Sequence, residues 1–388
     1  MGDHSQSPSL RKTTANPSPR RRGQVRAQDP SPSGRGQVRG NDPSPSGRGQ
    51  VRGNDPSPSG RGQVRAKILR SLILLLTALL AALPYLPPTW AAYLLPVSLA
   101  ALPILGISLL LTSSGSKPWR WAHVVSLVLC LPVILAYIPS CRHTPKPAQR
   151  TLSILSWNAD NFLVKRDTMT KAAQFIRERH PDLICLQERP HDNLIHWQNI
   201  QAALPDHRYT AKNSREDEVL NLAILSRYPI LATGGRQYKG TYNKYMWADL
   251  LIGHDTLRIF NAHLQTTGIK KDNNVDQSLI NRIFRNAIIR NHQADDLCHD
   301  LQNSPYPIIL CADLNDTPSG YPARRFRSLL HDISCQWPLS GTFRHLGGFM
   351  KIDYIMASQG ISVADYQQIE TDWSDHKIQH TKLLIRKK

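Results

Sequence analysis

From residue 67 to residue 143 the chain holds 5 Lys and Arg and no Asp or Glu. Inside that stretch lie three apolar runs, residues 68–86, 90–111 and 122–138, of 19, 22 and 17 residues. At about 1.5 Å per helical residue, each spans or nearly spans a bilayer core of about 30 Å. Together they predict a three-helix transmembrane anchor over 67–141. Pro96, Pro103 and Pro132 fall within the runs, which membrane helices tolerate better than soluble ones. Trp90, Trp119 and Trp121 stand at segment ends, where interfacial aromatics are favoured. A cleaved signal peptide is the rival reading of the first run, with Arg65, Lys67 and Arg70 ahead of it. Two further apolar runs follow, so cleavage there does not release the remainder.

Orientation follows from Lys and Arg in the short flanks. Arg61, Arg65, Lys67 and Arg70 flank the start of the first run, the first loop has none, and the second carries Lys117 and Arg120. The arm and second loop are then cytoplasmic. Three crossings place the C-terminal region outside, in a multi-pass protein of a bacterial inner (plasma) membrane. Arg142, Lys146 and Arg150, after the third run, weigh the other way. Residues 142–150 read as a short Pro-containing linker.

Residues 1–66 repeat with a period of 13, Pro17, Pro30, Pro43 and Pro56 each opening a copy. The unit is roughly Pro-Ser-Pro-Ser-Gly-Arg-Gly-Gln-Val-Arg-Gly-Asn-Asp. One Val per copy cannot bury enough apolar surface to offset ordering entropy, so the arm is expected to be disordered. Its arginines suit anionic lipid or RNA; tandem duplication in the gene, or a start site set too far upstream, explains the repeat without a function. Net charge is +19 for the chain, yet residues 144–388 hold 31 basic against 25 acidic side chains. That mild bias does not demand a nucleic-acid partner.

Beyond residue 150 strand-like and helix-like segments alternate. Residues 152–156, 182–186, 221–225, 246–252, 256–262, 307–312 and 352–357 are short and rich in Ile, Leu and Val. Residues 167–179, 191–204 and 276–301 show helical spacing. Such alternation gives an α/β layered domain, 151–388, with polar groups gathered where strands end. Cys185 and Cys311 fall in apolar strands and read as core thiols, whereas Cys298 and Cys335 could pair in an oxidising compartment.

Six polar clusters close apolar runs in this region. They are Trp157-Asn158-Ala159-Asp160, Leu186-Gln187-Glu188, Asn261-Ala262-His263-Leu264, Ala312-Asp313-Leu314-Asn315-Asp316, Lys351-Ile352-Asp353-Tyr354 and Ser374-Asp375-His376. Any one alone is an ordinary turn. Carboxylates, carboxamides and imidazoles at six strand ends are what a hard-metal phosphoesterase site requires, because Mg²⁺ takes oxygen ligands and phosphoryl chemistry is mostly positioning and charge neutralisation.

In this order the clusters resemble the endonuclease/exonuclease/phosphatase superfamily, from about residue 152 to 385. Pro181-Asp182-Leu183-Ile184-Cys185, Ala223-Ile224-Leu225-Ser226-Arg227-Tyr228-Pro229 and Asp316-Thr317-Pro318 carry it further. The superfamily includes pancreatic-type deoxyribonucleases, exonuclease III-like enzymes, neutral sphingomyelinases and inositol polyphosphate 5-phosphatases. The resemblance implies a four-layer sandwich of two packed mixed sheets flanked by helices, its site at one end, working with Mg²⁺ (or Mn²⁺). It implies that Glu188 holds the metal, Asn158 orients that site, Asp160 assists or caps its loop, and Asp375 is a second metal-side carboxylate. Asp313 positions or deprotonates the attacking water, Asn315 and His263 contact the phosphate, and Asp353 with His376 forms a carboxylate–imidazole dyad. The segment after His376, Lys377-Ile378-Gln379-His380, departs from the family's usual pattern.

The function expected is a membrane-anchored metal-dependent phosphoester hydrolase, a nuclease or a phospholipid-type phosphodiesterase. Basic residues interleave with aromatics at Arg236-Gln237-Tyr238-Lys239, 242–247 and Arg324-Arg325-Phe326-Arg327, which suits a nucleic acid or a lipid head group. The alternative is an inactive membrane-tethered scaffold of the same fold.

Overall fold

The structure, a computed structural model, describes residues 58–138, 149–164, 166–213, 220–268, 277–334, 340–344 and 346–386. The repeats up to residue 57, most of the linker, Cys141 and Cys335 lie outside the described residues. The possible Cys298–Cys335 pair is therefore described at one end only, where Cys298 is a buried free thiol.

Helix α1 (Pro58–Ala82) begins inside the last repeat rather than at residue 67. Among the described residues only this segment, over Arg61–Tyr85, is long and apolar enough to cross a membrane. The two other expected spans are not single helices. One divides into α2 (Pro88–Tyr93), α3 (Leu95–Leu99) and α4 (Ala101–Leu111), the other into α5 (Lys117–Leu129) and α6 (Leu131–Leu135). Proline accounts for the breaks: Pro96, Pro103 and Pro132 lack the N–H that would bond back one turn, and their rings crowd the preceding carbonyl. The backbone accordingly leaves helical values at Leu94, Ala100 and Cys130, where ψ is 11°, 14° and 1°. The three-span anchor is thus corrected to one helix of spanning length with shorter apolar helices on it. Leu80, Leu83, Ile104, Leu105, Cys130 and Val133 make their common core.

The remaining elements are β1 (Gln149–Asn158), α7 (Arg166–Arg179), β2 (Leu183–Arg189), α8 (Trp197–Ala203), β3 (Tyr209–Asn213), β4 (Asn221–Ser226), β5 (Ile230–Gln237), β6 (Lys244–Ile252), β7 (Asp255–His263), α9 (Gln277–Gln302), β8 (Ile308–Asp313), α10 (Tyr321–Arg327), β9 (His331–Asp332), β10 (Asp353–Ala357), β11 (Ser362–Ile369) and β12 (Ile378–Arg386). They form two six-stranded sheets, ordered β11-β12-β1-β2-β4-β3 and β5-β6-β7-β8-β10-β9. Both are mixed. The pairs β1–β2 and β7–β8 are parallel, and α7 and α9 lie in the crossovers that parallel pairing requires.

Side-chain alternation along the strands makes the layers. Leu152, Ile154, Cys185, Ile259, Cys311 and Ile355 face the opposite sheet and fill the central core. Their neighbours point outward: Leu155 and Trp157 pack with Ile176 of α7 and Ile200 of α8, and Phe260 and Leu310 with Leu297 of α9 and Phe326 of α10. The result is helices, sheet, sheet, helices, with Cys185 and Cys311 in the core as expected.

Candidate active site

On the inner faces, apolar residues give way to polar ones toward one end of the sandwich. On β1 the sequence is Leu152, Ile154, Ser156, Asn158; on β7 it is Ile259, Asn261, His263; on β8 it is Ile309, Cys311, Asp313. Asp353 opens β10 at the same level, paired with Asp313, and His376 precedes β12. Glu188 breaks the alternation, because residues 183, 185 and 187 already face inward. Its backbone sits in the left-handed region, φ 48°, at an irregularity between Leu186 and Arg189 that re-aims the side chain. Asn315 is also left-handed, φ 51°. Such conformations persist where the surroundings impose them, and they cluster at functional sites.

Asn158 Nδ2 donates to Glu188 Oε1 at 2.9 Å and to Asp313 Oδ2 at 3.0 Å, and its Oδ1 accepts from Asp160 N at 3.1 Å. His263 Nε2 lies 3.0 Å from Glu188 Oε1 and 3.5 Å from Asp313 Oδ2. On the far side His376 Nδ1 lies 2.9 and 3.1 Å from the two Asp353 oxygens, with Nε2 3.8 Å from Asp313 Oδ2. Asp313 thus stands between two imidazoles. Asn315 N donates to Asp313 Oδ1 at 2.8 Å and Asn315 Nδ2 to Leu264 O at 3.0 Å. A carboxamide nitrogen has two donors, so one N–H of Asn315 remains for another acceptor.

Burial opposes charge on both imidazoles, but the carboxylates outweigh it. Asp313 and Glu188 raise His263 to about 10, and Asp353, aided by Asp313 and Asp375, raises His376 to about 10. Burial pushes the Asp353 carboxyl up, and the adjacent imidazole still takes the proton. Burial likewise pushes Asp313 up, yet His263, His376 and Asn158 hold it down at about 2. For Glu188 burial is again outweighed, by His263 and Asn158, and the carboxyl sits below its ordinary value. Asn243 Nδ2 lies 3.0 Å from His263 Nδ1, a contact that suits a neutral ring accepting at Nδ1, and a charged ring once the amide turns over to present its oxygen.

The opposite happens at Asp160, pushed to about 6 by burial, then by Asp375 and Glu188. Asp160, Asp375 and Glu188, beside the Asn158 carboxamide, form a hard-oxygen set of the kind that suits a divalent cation. Among the described residues two groups bring three ligand atoms within 4.8 Å: Glu188, His263, Asp313 and Asp313, Asp353, His376. Asp375 belongs to neither; its Oδ1 lies 3.7 Å from His376 Nε2.

Several supporting residues had no role in the sequence reading. Thr342 Oγ1 accepts from Ile352 N and Asp353 N, both at 3.0 Å, and the Phe343 ring lies 5.0 Å from the His376 ring. Ser374 Oγ donates to Asn158 O at 2.7 Å and accepts from His376 N at 3.0 Å. Thr342 and Phe343 close no expected strand, so no local signal marks them; Asn243 lay within the 242–247 segment and Ser374 in a polar cluster, and both could have been found.

The sequence pattern of the endonuclease/exonuclease/phosphatase family matches residues 155–376. No curated protein matches the chain. Among solved structures, the human Nocturnin catalytic domain with bound sulfate is 17% identical, with a TM-score of 0.47 over 62% of this chain and 99% of that one. D. rerio TDP2 complexed with single-strand DNA product is 16% identical, TM-score 0.46, over 60% and 98%. An endonuclease/exonuclease/phosphatase protein from Beutenbergia cavernae is 19% identical, TM-score 0.45, over 61% and 72%. Spanning more than half of its residues, the family match makes this chain a member of the endonuclease/exonuclease/phosphatase family.

Proposed function

We propose that the protein is a membrane-anchored, divalent-metal-dependent phosphoester hydrolase working through Asn158, Glu188, His263, Asp313, Asn315, Asp353, Asp375 and His376. The observation that supports it most is the pair of buried imidazoles on either side of the buried Asp313, with His263 Nε2 3.5 Å and His376 Nε2 3.8 Å from its Oδ2. Two cationic donors and one anionic acceptor converging on one point suit a phosphoryl group with its attacking water.

In this reading Asp313 orients the water in line and takes its proton as the water oxygen bonds to phosphorus and the bond from phosphorus to the leaving oxygen breaks. His263 and the second N–H of Asn315 donate to non-bridging oxygens as negative charge develops. His376, charged at neutral pH, is a donor rather than a base in the resting site, able to pass its proton to the leaving oxygen while Asp353 holds Nδ1. Glu188 and Asn158, with Asp160 and Asp375, would hold a divalent cation, which when bound supplies Lewis-acid charge neutralisation. The substrate class is a phosphoester carried by a nucleic acid or a lipid head group.

Exposed Leu69, Leu72 and Leu75 on α1 and exposed Trp121, Val125 and Val128 on α5 support the anchor, since apolar surface of that extent is rare facing water. Arg61, Arg65, Lys67 and Arg70 precede or open the apolar run, which puts that end in the cytoplasm and the catalytic domain outside a bacterial inner membrane.

The test is hydrolysis of duplex DNA, RNA, sphingomyelin and inositol phosphates by the full-length protein in detergent, with and without EDTA. Turnover of at least one, abolished by EDTA and by Glu188→Gln, is expected. Hydrolysis that survives EDTA, or a folded protein inert on all four, would sink the proposal.

A further inference from the structure

The loop 314–320 carries Asn315 at one end and rests on the N-terminal helices at the other. Within the sandwich, Asp316 is buried against the fully buried Arg290, whose Nε and Nη2 lie 3.3 and 3.2 Å from Asp316 Oδ2. Thr317 N donates to Asp316 Oδ1 at 2.8 Å, and Tyr354 Oη donates to Asp316 O at 3.1 Å. The next contacts come from outside the sandwich. Ser98 Oγ, on α3, lies 2.9 Å from Ser319 Oγ and 3.3 Å from Thr317 Oγ1. Ser319 Oγ lies 3.0 Å from Tyr137 Oη and donates to Ser98 O at 3.0 Å. Arg327 ties the same place together, donating through Nη1 to Pro318 O at 2.6 Å and through Nη2 to Ala136 O at 3.1 Å.

We propose that Ser98 and Tyr137 are positioning residues for Asn315, so that the anchor helices form one wall of the active-site loop. The inference rests on the reading of Asn315 as a phosphate donor. Ser319 lies four positions beyond Asn315, at most about 14 Å of extended chain. Asn315 holds a left-handed backbone, φ 51°, that asparagine tolerates better than most residues, and a loop fixed at both ends restricts it to that conformation more narrowly than a loop released at one end. Asn315 bonds inside the sandwich, to Asp313 and Leu264, as Glu188, His263, Asp353 and His376 do, but of these five it alone stands on the loop that Ser98 and Tyr137 hold, so loosening the anchor contact should disturb Asn315 selectively.

The experiment uses full-length protein in detergent and a substrate turned over by the wild type. Variants are Ser98→Ala with Tyr137→Phe, the single Tyr137→Phe as the milder change, Asn315→Ala, and all three substitutions together. Losing hydroxyl contacts of this kind should lower kcat roughly 2- to 10-fold, with the cation concentration for half-maximal activity unchanged. Because the effect acts through Asn315, it should vanish in the Asn315→Ala background, where a general loss of folding would persist. An equal loss in both backgrounds, or none in the wild-type background, overturns the inference and leaves the hydrolase reading standing. Full kcat in Asn315→Ala overturns the phosphate-donor role itself, and the inference with it.

Discussion

Asp353→Asn removes a charge while keeping a shape, and its effect can be sized from the site. The two carboxylate oxygens lie 2.9 and 3.1 Å from His376 Nδ1. Unit charges about 4 Å apart at an effective dielectric of about 20 attract by about 4 kcal/mol, equivalent to about 3 pH units. His376, held at about 10 by Asp353 and its neighbours, should fall to roughly 7 in the variant by that reckoning. At pH 8 it then loses most of its charge, and the carboxamide N–H₂ now competes with Nδ1–H, favouring the wrong tautomer. A positioned acid or base contributes roughly 10²- to 10⁴-fold, so kcat should drop within that range. The assays are kcat against pH at saturating cation and an NMR titration of the imidazoles in metal-free protein. The alkaline limb should move to lower pH in Asp353→Asn. Since the dyad acts as a unit, Asp353→Asn with His376→Ala should cost little more than His376→Ala alone. An unshifted limb, or a double variant whose loss is the product of the singles, would refute the reasoning.

Other outcomes follow from the same geometry. Glu188→Gln should raise the cation concentration for half-maximal activity by roughly tenfold or more, as ligand changes do, and an unchanged cation dependence would remove Glu188 from the metal. A bound cation adds positive charge beside imidazoles raised to about 10 and lowers them, so binding expels protons and affinity should tighten as pH rises from about 7 to 10. Calorimetry in buffers of different ionisation heat reads that release, and a flat affinity over this window contradicts it. A reporter fused after Lys388 should read extracytoplasmic, because the Lys and Arg excess lies at the start of α1, ahead of or opening its apolar run; cytoplasmic activity there reverses the orientation. Deleting residues 1–57, whose repeats cannot form a core, should leave activity in detergent unchanged, and its loss would make the repeats part of the enzyme.

How much of this was legible in the sequence depended on burial. All seven expected strands formed, because a strand buried on both faces, such as β4 or β8, is apolar throughout and announces itself. The strands that escaped notice include the edges β3, β5, β9 and β11, with mostly polar or half-exposed residues. In β5 the pair Gly234-Gly235 carries no side chain to show alternation, and the structure needs both glycines. A Cβ at 234 would meet the Trp247 ring at 2.5 Å, and one at 235 the Tyr245 carbonyl at 2.3 Å. The helix expected over 191–204 shortens to Trp197–Ala203, since Asp192 is drawn into contacts with Arg189 and Lys212, each 2.7 Å away. The anchor misled for a different reason. Hydropathy counts apolar residues and does not see that Pro96, Pro103 and Pro132 each remove a helical bond, nor that Ala92 and Leu95 pack against Ala287 of α9.

The site's polar layer explains how one end of a sandwich can be catalytic without coming apart. Beneath Glu188 and His263, Gln187 Nε2 donates to Asn261 Oδ1 at 2.7 Å, and Asn261 Nδ2 donates to Leu186 O and Ala223 O, both at 2.9 Å. These bonds join β7 in one sheet to β2 and β4 in the other. A buried amide left unpaired costs about 1–3 kcal/mol, so Asn261, with both amide hydrogens and its oxygen engaged, is tolerated where a half-satisfied group would not be. Apolar packing, as between Ile259 and Ile309 lower in the sandwich, is indifferent to small slips, because dispersion has little direction. Hydrogen bonds are not indifferent. Gln187 and Asn261 precede Glu188 and His263 by one and two residues, so the bond between them fixes the spacing of the sheets next to the 3.0 Å contact of Glu188 with His263. Geometry at the site is thus set by directional bonds immediately below it, while the apolar core farther down supplies the stability that such a polar layer cannot.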